Sequence, residues 1–253
     1  MAIAITIARG GSKRLPGKNS RDFCGHPLVA WSIVQLRTAH EVDRVYLSTD
    51  TDELQEIGER YGAEVIRRPD WPDADKVAAN RPYIHAMETL IERGDLVPSD
   101  EVVHMLPTQP LVKPGDIDAL IREYRRIRPD QAGMFVKLRE AIAYRIIHPI
   151  KVRSDLFDKG YQYATLGPAV NVCTPAWYCA FAAQLGSDLD SDLDALAKED
   201  VRVREAYVGL WCEPWQSLEC DVQEEFDTAA AMMEHKILKG RGMEVYYEYG
   251  RQG

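Results

Sequence analysis

The segment AIAITIARGGSKRLPGKN, residues 2–19, joins a short apolar run to a loop that is rich in glycine and positive charge. The apolar run over residues 2–8 is typical of a buried first β-strand and is too short to cross a membrane. In the loop, Gly10 and Gly11 let the backbone approach a ligand closely. Four cationic residues follow the strand: Arg9, Lys13, Arg14 and Lys18. Because backbone N–H groups and cations together bind phosphate oxygens, the segment predicts a phosphate site directly after the first strand.

Two well-known phosphate motifs do not match this loop. The P-loop requires glycine at position 12 and serine or threonine at position 19, where this chain has Ser12 and Asn19. The dinucleotide fingerprint G-x-G-x-x-G also fails, because Gly10 and Gly11 are adjacent. The sequence therefore disfavours a nicotinamide-dependent oxidoreductase.

Strand-like and helical patterns alternate beyond this loop. The apolar spacing predicts strands over residues 44–48, 63–66, 101–106 and 133–138, and helices over residues 27–39, 52–61, 81–93, 114–127 and 223–239. Such alternation predicts an α/β fold with a mostly parallel sheet and helices on both faces. Ligands bind beyond the carboxyl ends of such strands, which directs attention to the loops after residues 8, 48, 66 and 106. Residues 141–177 are rich in Tyr, Gly and Pro, and we expect them to form an inserted arm within a single domain, residues 1–253.

Charge and cysteine content narrow the range of partners. The net charge is −9 and the chain has no dense run of Lys and Arg, which disfavours nucleic acid. The N-terminus lacks the charged start and the cleavage site of a signal peptide, and no membrane partner is expected. Five cysteines without a C-x-x-C pair fit reduced thiols, so the sequence predicts a cytoplasmic protein.

The loop ARGGSKRLPGKN resembles the opening signature of the CMP-sialic acid synthetases (acylneuraminate cytidylyltransferases). The likeness continues in order through GHPL (25–28), STD (48–50), YGAEV (61–65), RP (68–69), LPTQPL (106–111) and SLECD (217–221). The resemblance implies a Rossmann-like nucleotide-diphospho-sugar transferase fold with a small dimerisation arm. It also implies CTP and Mg²⁺ as reactants, a small acidic acceptor, and a homodimer.

The resemblance carries over to individual residues of the nucleotide side. Arg9 and Lys18 match the family's triphosphate-binding Arg and Lys, and with Asp221 they form the expected catalytic set. Asp221 matches the second aspartate of a D-x-D metal motif, and Glu219 stands at the first. The implied nucleotide-binding residues are Ala8, Arg9, Gly10, Gly11, Ser12, Lys18, Asn19 and Arg68.

Departures from the family pattern lie on the acceptor side. Leu106 stands where the family has Gln, and Gln109 replaces a Ser. Arg145 is a candidate basic group of the arm, and Asn171 is a remnant of the family's Arg-x-Asn-Gly-x-x-Tyr segment. An apolar Leu cannot pair with a hydroxyl, which predicts a sialic-acid-like nonulosonate with fewer or different polar substituents. Kdo, a phosphonate acceptor, and a catalytically impaired nucleotide-binding homologue remain alternatives.

Overall fold

The computed structural model describes residues 1–69, 71, 80–127, 132–140, 162–184 and 207–252. The strands are β1 (Ala2–Ile7), β2 (Asp22–Phe23), β3 (His26–Pro27), β4 (Arg44–Thr49), β5 (Glu64–Arg67), β6 (Glu101–Met105), β7 (Ala132–Glu140), β8 (Gln162–Cys173) and β9 (Tyr207–Trp211). The helices are α1 (Leu28–Thr38), α2 (Asp52–Arg60), α3 (Asn80–Glu92), α4 (Pro114–Ile127), α5 (Pro175–Gln184), α6 (Gln223–Met232) and α7 (Glu244–Gly250).

Seven of these strands form one sheet in the order β5-β4-β1-β6-β8-β7-β9. β5, β4, β1 and β6 are parallel to one another, β8 runs antiparallel to both of its neighbours, and β7 pairs in parallel with β9. The mostly parallel sheet predicted from the sequence is therefore confirmed. β2 and β3 form a separate small hairpin just before α1.

The side chains of β1 show how the two faces of the sheet are covered. Ala4 belongs to a core cluster that contains residues of α1 and α4, whereas Ile3 and Ile5 belong to a second cluster that contains residues of α3. Successive side chains of a strand point to opposite faces, so helices cover both faces of this sheet. The near-continuous burial of β1 is what a central parallel strand requires.

The structure corrects part of the predicted arm. Residues 162–173 form strand β8, which lies inside the sheet between β6 and β7, and residues 175–177 begin helix α5. Residues 141–161 lie outside the described part of the chain. Because Tyr, Gly and Pro are frequent in this region, the sequence pattern did not indicate strand β8, whose partners β6 and β7 lie earlier in the chain.

The segment predicted as a helix over residues 223–239 is helical over residues 223–238, but the type of helix changes within it. α6 ends at Met232 and is followed directly by a π-helix over Met233–Leu238. The residue that caps this π-helix, Lys239, has a left-handed φ of 51°. All five cysteine thiols are free. Among the described residues, no helix has the length and apolar character that a membrane crossing requires.

Candidate active site

A cavity of about 300 Å³ opens at the carboxyl ends of β1, β4, β5 and β6. It is bordered by the four loops that the sequence pattern singled out. The described residues that line it are Ile7, Ala8, Arg9, Ser12, Lys13, Arg14, Lys18, Asn19, Asp50, Arg68, Pro69, Trp71, Pro82, Leu106, Pro107 and Thr108. Five of these side chains are cationic and one is acidic, so the cavity suits a polyanionic ligand.

Backbone and side-chain hydrogen bonds hold the first loop in place. Asn19 Nδ2 donates to the carbonyl oxygen of Arg9 at 3.0 Å, and the N–H of Gly10 donates to Asp50 Oδ1 at 2.9 Å. A Cβ at Gly10 would collide with the methyl group of Thr51, whereas a Cβ at Gly11 would meet open space. Gly10 is thus required for the close packing of the loop against the start of α2.

Arg68 is buried on the β5 side of the cavity. Its Nη2 donates to the carbonyl oxygen of Ala8 at 2.8 Å and lies 3.3 Å from Asp50 Oδ2. Burial lowers the pKa of Arg68, and the nearby Asp50 charge works against that shift. A guanidinium keeps its proton even so, and Arg68 therefore contributes a fixed positive charge to the cavity wall.

Lys18 and Arg14 converge on Asp221, which comes from the far C-terminal region. Lys18 Nζ lies 2.7 Å from Asp221 Oδ1, and Arg14 Nη2 lies 2.6 Å from Asp221 Oδ2. Partial burial works to raise the pKa of the Asp221 carboxyl, but the hydrogen bonds and charges of Lys18 and Arg14 outweigh it and lower the pKa. Two expected catalytic residues, Lys18 and Asp221, are thus brought into direct contact.

The segment that carries Glu219 and Asp221 docks on the loop after β6. The N–H of Cys220 donates to the carbonyl oxygen of Thr108 at 2.8 Å, and Gln109 Nε2 donates to Glu219 Oε1 at 2.9 Å. Gln109, a candidate for acceptor binding, is buried, engages Glu219, and does not line the cavity among the described residues.

The acidic pair has the donor chemistry that Mg²⁺ accepts. In the described part of the chain, no three His, Cys, Asp or Glu side chains are grouped as a metal site. Mg²⁺ is commonly held by only one or two carboxylates together with waters and substrate phosphates. Asp221 and Glu219 therefore fit a metal that is shared with a phosphorylated ligand, with Asp221 nearer to the cavity cations.

The remaining predicted residues fall into three groups. Ser12 and Leu106 line the cavity together with Ala8, Arg9, Lys18, Asn19 and Arg68, whereas Gly10, Gly11, Glu219 and Asp221 are not among its described lining residues. Asn171 lies on β8 in register with His104 of β6 and is not among the cavity-lining residues that the structure describes. Arg145 lies outside the described residues.

Asp50 and Trp71 line the cavity but were not among the site residues predicted from the sequence. Asp50 follows strand β4 directly and so stands at a carboxyl end, which is the signal that could have identified it. Trp71 lines the cavity wall beside Arg68, with 5.9 Å between the guanidinium carbon and the centre of the ring.

A parallel sheet with a cationic cavity at its carboxyl edge is typical of α/β proteins that bind phosphorylated ligands. The family model described as cytidylyltransferase matches residues 3–163, which is more than half of the chain. The chain therefore belongs to the cytidylyltransferase family. Glu219 and Asp221 lie beyond the matched span.

Relatives and solved structures agree with this membership. The chain is 33% identical over 121 residues to N-acylneuraminate cytidylyltransferase B of Danio rerio, covering 47% of this chain and 27% of that protein. It is 33% identical over 131 residues to pseudaminic acid cytidylyltransferase of Campylobacter jejuni, covering 51% of this chain and 54% of that protein. The chain thus spans about a quarter to a half of these relatives.

A CMP-2-keto-3-deoxy-manno-octonic acid synthetase complexed with CTP has the same fold. The TM-score is 0.64 at 14% sequence identity, and the match covers 93% of this chain and 99% of that one. At such low identity the likeness shows the fold alone, and it confirms the Rossmann-like nucleotidyltransferase architecture.

Proposed function

We propose that this protein transfers CMP from CTP to an acidic sugar of the sialic-acid type and releases pyrophosphate. The observation that carries the proposal is the cavity with five cationic side chains at the carboxyl edge of β1, in a chain of the cytidylyltransferase family. The two relatives are named for N-acylneuraminate and pseudaminic acid, which supports an acidic sugar as the acceptor.

In this reaction an acceptor oxygen attacks the α-phosphorus of CTP, and the bond from that phosphorus to the pyrophosphate oxygen breaks. Catalysis of such transfers depends mainly on positioning and on neutralising phosphate charge. Arg9 and Lys18 line the cavity and are the groups that would stabilise charge on the triphosphate. Asn19 holds the backbone at Arg9 and so fixes the loop before the ligand arrives.

We further propose that Mg²⁺ takes part, held by Asp221 with help from Glu219. When bound, Mg²⁺ supplies charge neutralisation at phosphate oxygens and makes a coordinated hydroxyl easier to deprotonate. Lys18 and Arg14 contact Asp221 in the ligand-free protein, and a triphosphate in the cavity offers both cations alternative oxygen partners. Gln109 and the backbone of Cys220 hold the acidic segment on the loop after β6, whose Thr108 lines the cavity.

The acceptor side of the cavity favours a sugar with an apolar substituent. Leu106 lines the cavity and packs against the core cluster that contains residues of β1 and α3. Because its side chain is apolar, it offers no hydrogen bond to a ligand. A buried hydroxyl that faces it would lose a partner, whereas a methyl or deoxy carbon would not. This supports a deoxy or amino-deoxy nonulosonate over a fully hydroxylated sugar.

We expect the active protein to be a cytoplasmic homodimer. Five free cysteines are compatible with a reducing compartment, and the dimer is what the family resemblance implies. Mass measurement by light scattering on the purified protein tests the assembly.

The test of the activity is pyrophosphate release from CTP and Mg²⁺ with a panel of acceptors. The panel contains N-acetylneuraminic acid, a pseudaminic-type acid, Kdo and an alkylphosphonate, with a no-acceptor control and mass detection of the CMP conjugate. We expect one acidic nine-carbon sugar to give the highest kcat/KM. CTP binding without transfer to any acceptor would favour the impaired homologue, and no CTP binding would reject the proposal.

A further inference from the structure

Asp50 is the single acidic side chain among the described residues that line the cavity. The other charged lining residues are all cations, and a carboxylate that faced a triphosphate would repel it. Asp50 therefore suits a part of the ligand that donates hydrogen bonds. Its side chain keeps 24% of its surface exposed, so it can be reached from the cavity.

The contacts of Asp50 fix both of its carboxylate oxygens. Oδ1 accepts the N–H of Gly10 at 2.9 Å, and Oδ2 lies 3.3 Å from Arg68 Nη2, which also donates to Ala8. Each carboxylate oxygen can accept more than one hydrogen bond. Asp50 thus presents a rigid acceptor next to the rigid donor Arg68.

This arrangement is complementary to the hydrogen-bonding edge of cytosine. Cytosine offers an exocyclic amine, which donates, next to ring N3 and O2, which accept. Uracil offers a carbonyl oxygen in place of the amine, so a carboxylate at that point would face an oxygen with no proton between them. A carboxylate beside a guanidinium therefore discriminates between the two bases.

We propose that Asp50 accepts a hydrogen bond from the exocyclic amine of the nucleotide base, beside Arg68, and sets the preference for CTP over UTP. The inference rests on the proposed function, since it names the residue that recognises the base in the same site. Asp50 acts by direct contact with the nucleotide, and its bond to Gly10 supplies the rigidity.

A purely structural role for Asp50 makes a different prediction. If Asp50 only anchors Gly10 and neutralises the buried Arg68, its loss loosens the loop and weakens every pyrimidine nucleotide by the same factor. The informative quantity is therefore a ratio of affinities.

The experiment is a cycle of two proteins and two nucleotides. Dissociation constants are measured by calorimetry for wild type and Asp50→Asn with CTP and with pyrimidin-2-one riboside 5′-triphosphate, which lacks the amine. Wild type should bind CTP about tenfold to a hundredfold more tightly than the analogue, and Asp50→Asn should lose that preference. The dissociation constant of UTP is measured in parallel, and the preference for CTP over UTP should be smaller in Asp50→Asn than in wild type.

Asp43→Asn is the matched control. Asp43 also accepts a backbone N–H, that of Ala2 at 2.7 Å, but it lies at the opposite end of the strands and does not line the cavity. This variant should keep the wild-type ratio of CTP to analogue.

The outcomes separate the inference from the function on which it rests. Equal loss of CTP and analogue affinity in Asp50→Asn overturns the role of Asp50, while CTP selectivity in wild type leaves the proposed function standing. Failure of wild type to distinguish CTP from UTP overturns the inference alone, whereas failure of wild type to bind CTP rejects the proposed function. Should Asp50→Asn not fold, Asp50→Glu replaces it in the cycle, because it keeps the charge beside Arg68 and displaces the oxygens; retention of the full amine preference would then overturn the inference.

Discussion

Lys18 and Asp221 lie 203 positions apart in the chain, yet Lys18 Nζ is 2.7 Å from Asp221 Oδ1. Lys18 is only 9% exposed, so its charge is compensated mainly inside the protein. Asp221 also pairs with Arg14, so loss of the Asp221 charge would leave the nearly buried Lys18 without this carboxylate partner, whereas loss of Lys18 would leave Asp221 still paired. The pair therefore joins the first loop to the C-terminal region and fixes the position of Lys18 in the cavity wall.

Lys18→Met should lower kcat/KM for CTP-dependent pyrophosphate release by about a hundredfold or more, because one preorganised charge at the phosphates is lost. Methionine keeps an unbranched side chain without the charge. Lys113→Met is the control, since Lys113 is exposed and outside the cavity, and it should behave as wild type. Near wild-type activity of Lys18→Met would assign the loop a structural role only.

Asp221→Asn should abolish Mg²⁺-dependent transfer, whereas Asp227→Asn on the exposed face of α6 should not. The pKa of Asp221 is lowered by Lys18 and Arg14 against the opposing effect of burial. Its stabilising contribution is thus present above the ordinary carboxyl pKa of roughly 3.9 and is lost as the pH falls through the lowered value. Glu219→Asp should lower the transfer activity less than Asp221→Asn does. If Asp221→Asn remained active at an unchanged Mg²⁺ requirement, Asp221 would not be a metal ligand.

Gly10→Ala should destabilise the protein because the new Cβ meets the methyl group of Thr51. Adding Thr51→Ser removes that methyl group and retains a hydroxyl to accept the Leu54 N–H at the start of α2, so the double variant should regain stability. Gly11→Ala should leave the melting temperature unchanged, because no heavy atom lies within 4 Å of the new Cβ. Thermal unfolding of the four proteins checks this, and the absence of rescue by Thr51→Ser would show that the strain arises elsewhere.

The position of the first loop at the cavity was predictable from the sequence because the pattern that indicates it is local. A strand, two glycines and four cations are adjacent in the chain, and the position after β1 follows from the alternation of elements. The pairing of Arg14 with Asp221 was not predictable, because no local pattern states which distant carboxylate reaches a cation. The place of Asp50 at a carboxyl end follows from its position after β4, but its contacts with Arg68 and Gly10 depend on the fold and were not predictable.

The strand β8 illustrates the other limit of sequence reasoning. Its residues contain Gly and Pro, and its partners β6 and β7 lie in separate parts of the chain. Local propensity favours an irregular segment, but pairing on both edges satisfies the backbone hydrogen bonds. The sheet context therefore decided a structure that periodicity did not reveal.

His104→Phe should make the protein more resistant to acid. His104 is 2% exposed, neither ring nitrogen has a hydrogen-bond partner among the described residues, and its ring stacks on Tyr178 with 4.3 Å between centroids. Burial lowers the pKa of His104 to about 3. From about pH 6.5 down to 3 the unfolded chain binds a proton that the folded protein does not, which costs up to about 1.4 kcal/mol per pH unit.

Denaturant unfolding at a series of pH values measures this effect. The stability gained by His104→Phe over wild type should grow as the pH falls below about 6.5. His235→Phe, at an exposed site, should follow the wild-type pH dependence. Parallel curves for wild type and His104→Phe would show that His104 is protonated in the folded protein.

We expect the protein not to prefer N-acetylneuraminic acid, because Leu106 on the cavity wall can pack against a methyl or deoxy carbon but cannot pair with a hydroxyl. A buried hydroxyl without a partner costs about 1–3 kcal/mol, which corresponds to roughly tenfold to a hundredfold in specificity. Leu106→Gln should therefore raise the relative kcat/KM for the fully hydroxylated sugar by about that factor. Leu106→Met, which stays apolar and of similar size, should keep the wild-type order of acceptors. If wild type used N-acetylneuraminic acid best and Leu106→Gln changed nothing, Leu106 would have no part in acceptor choice.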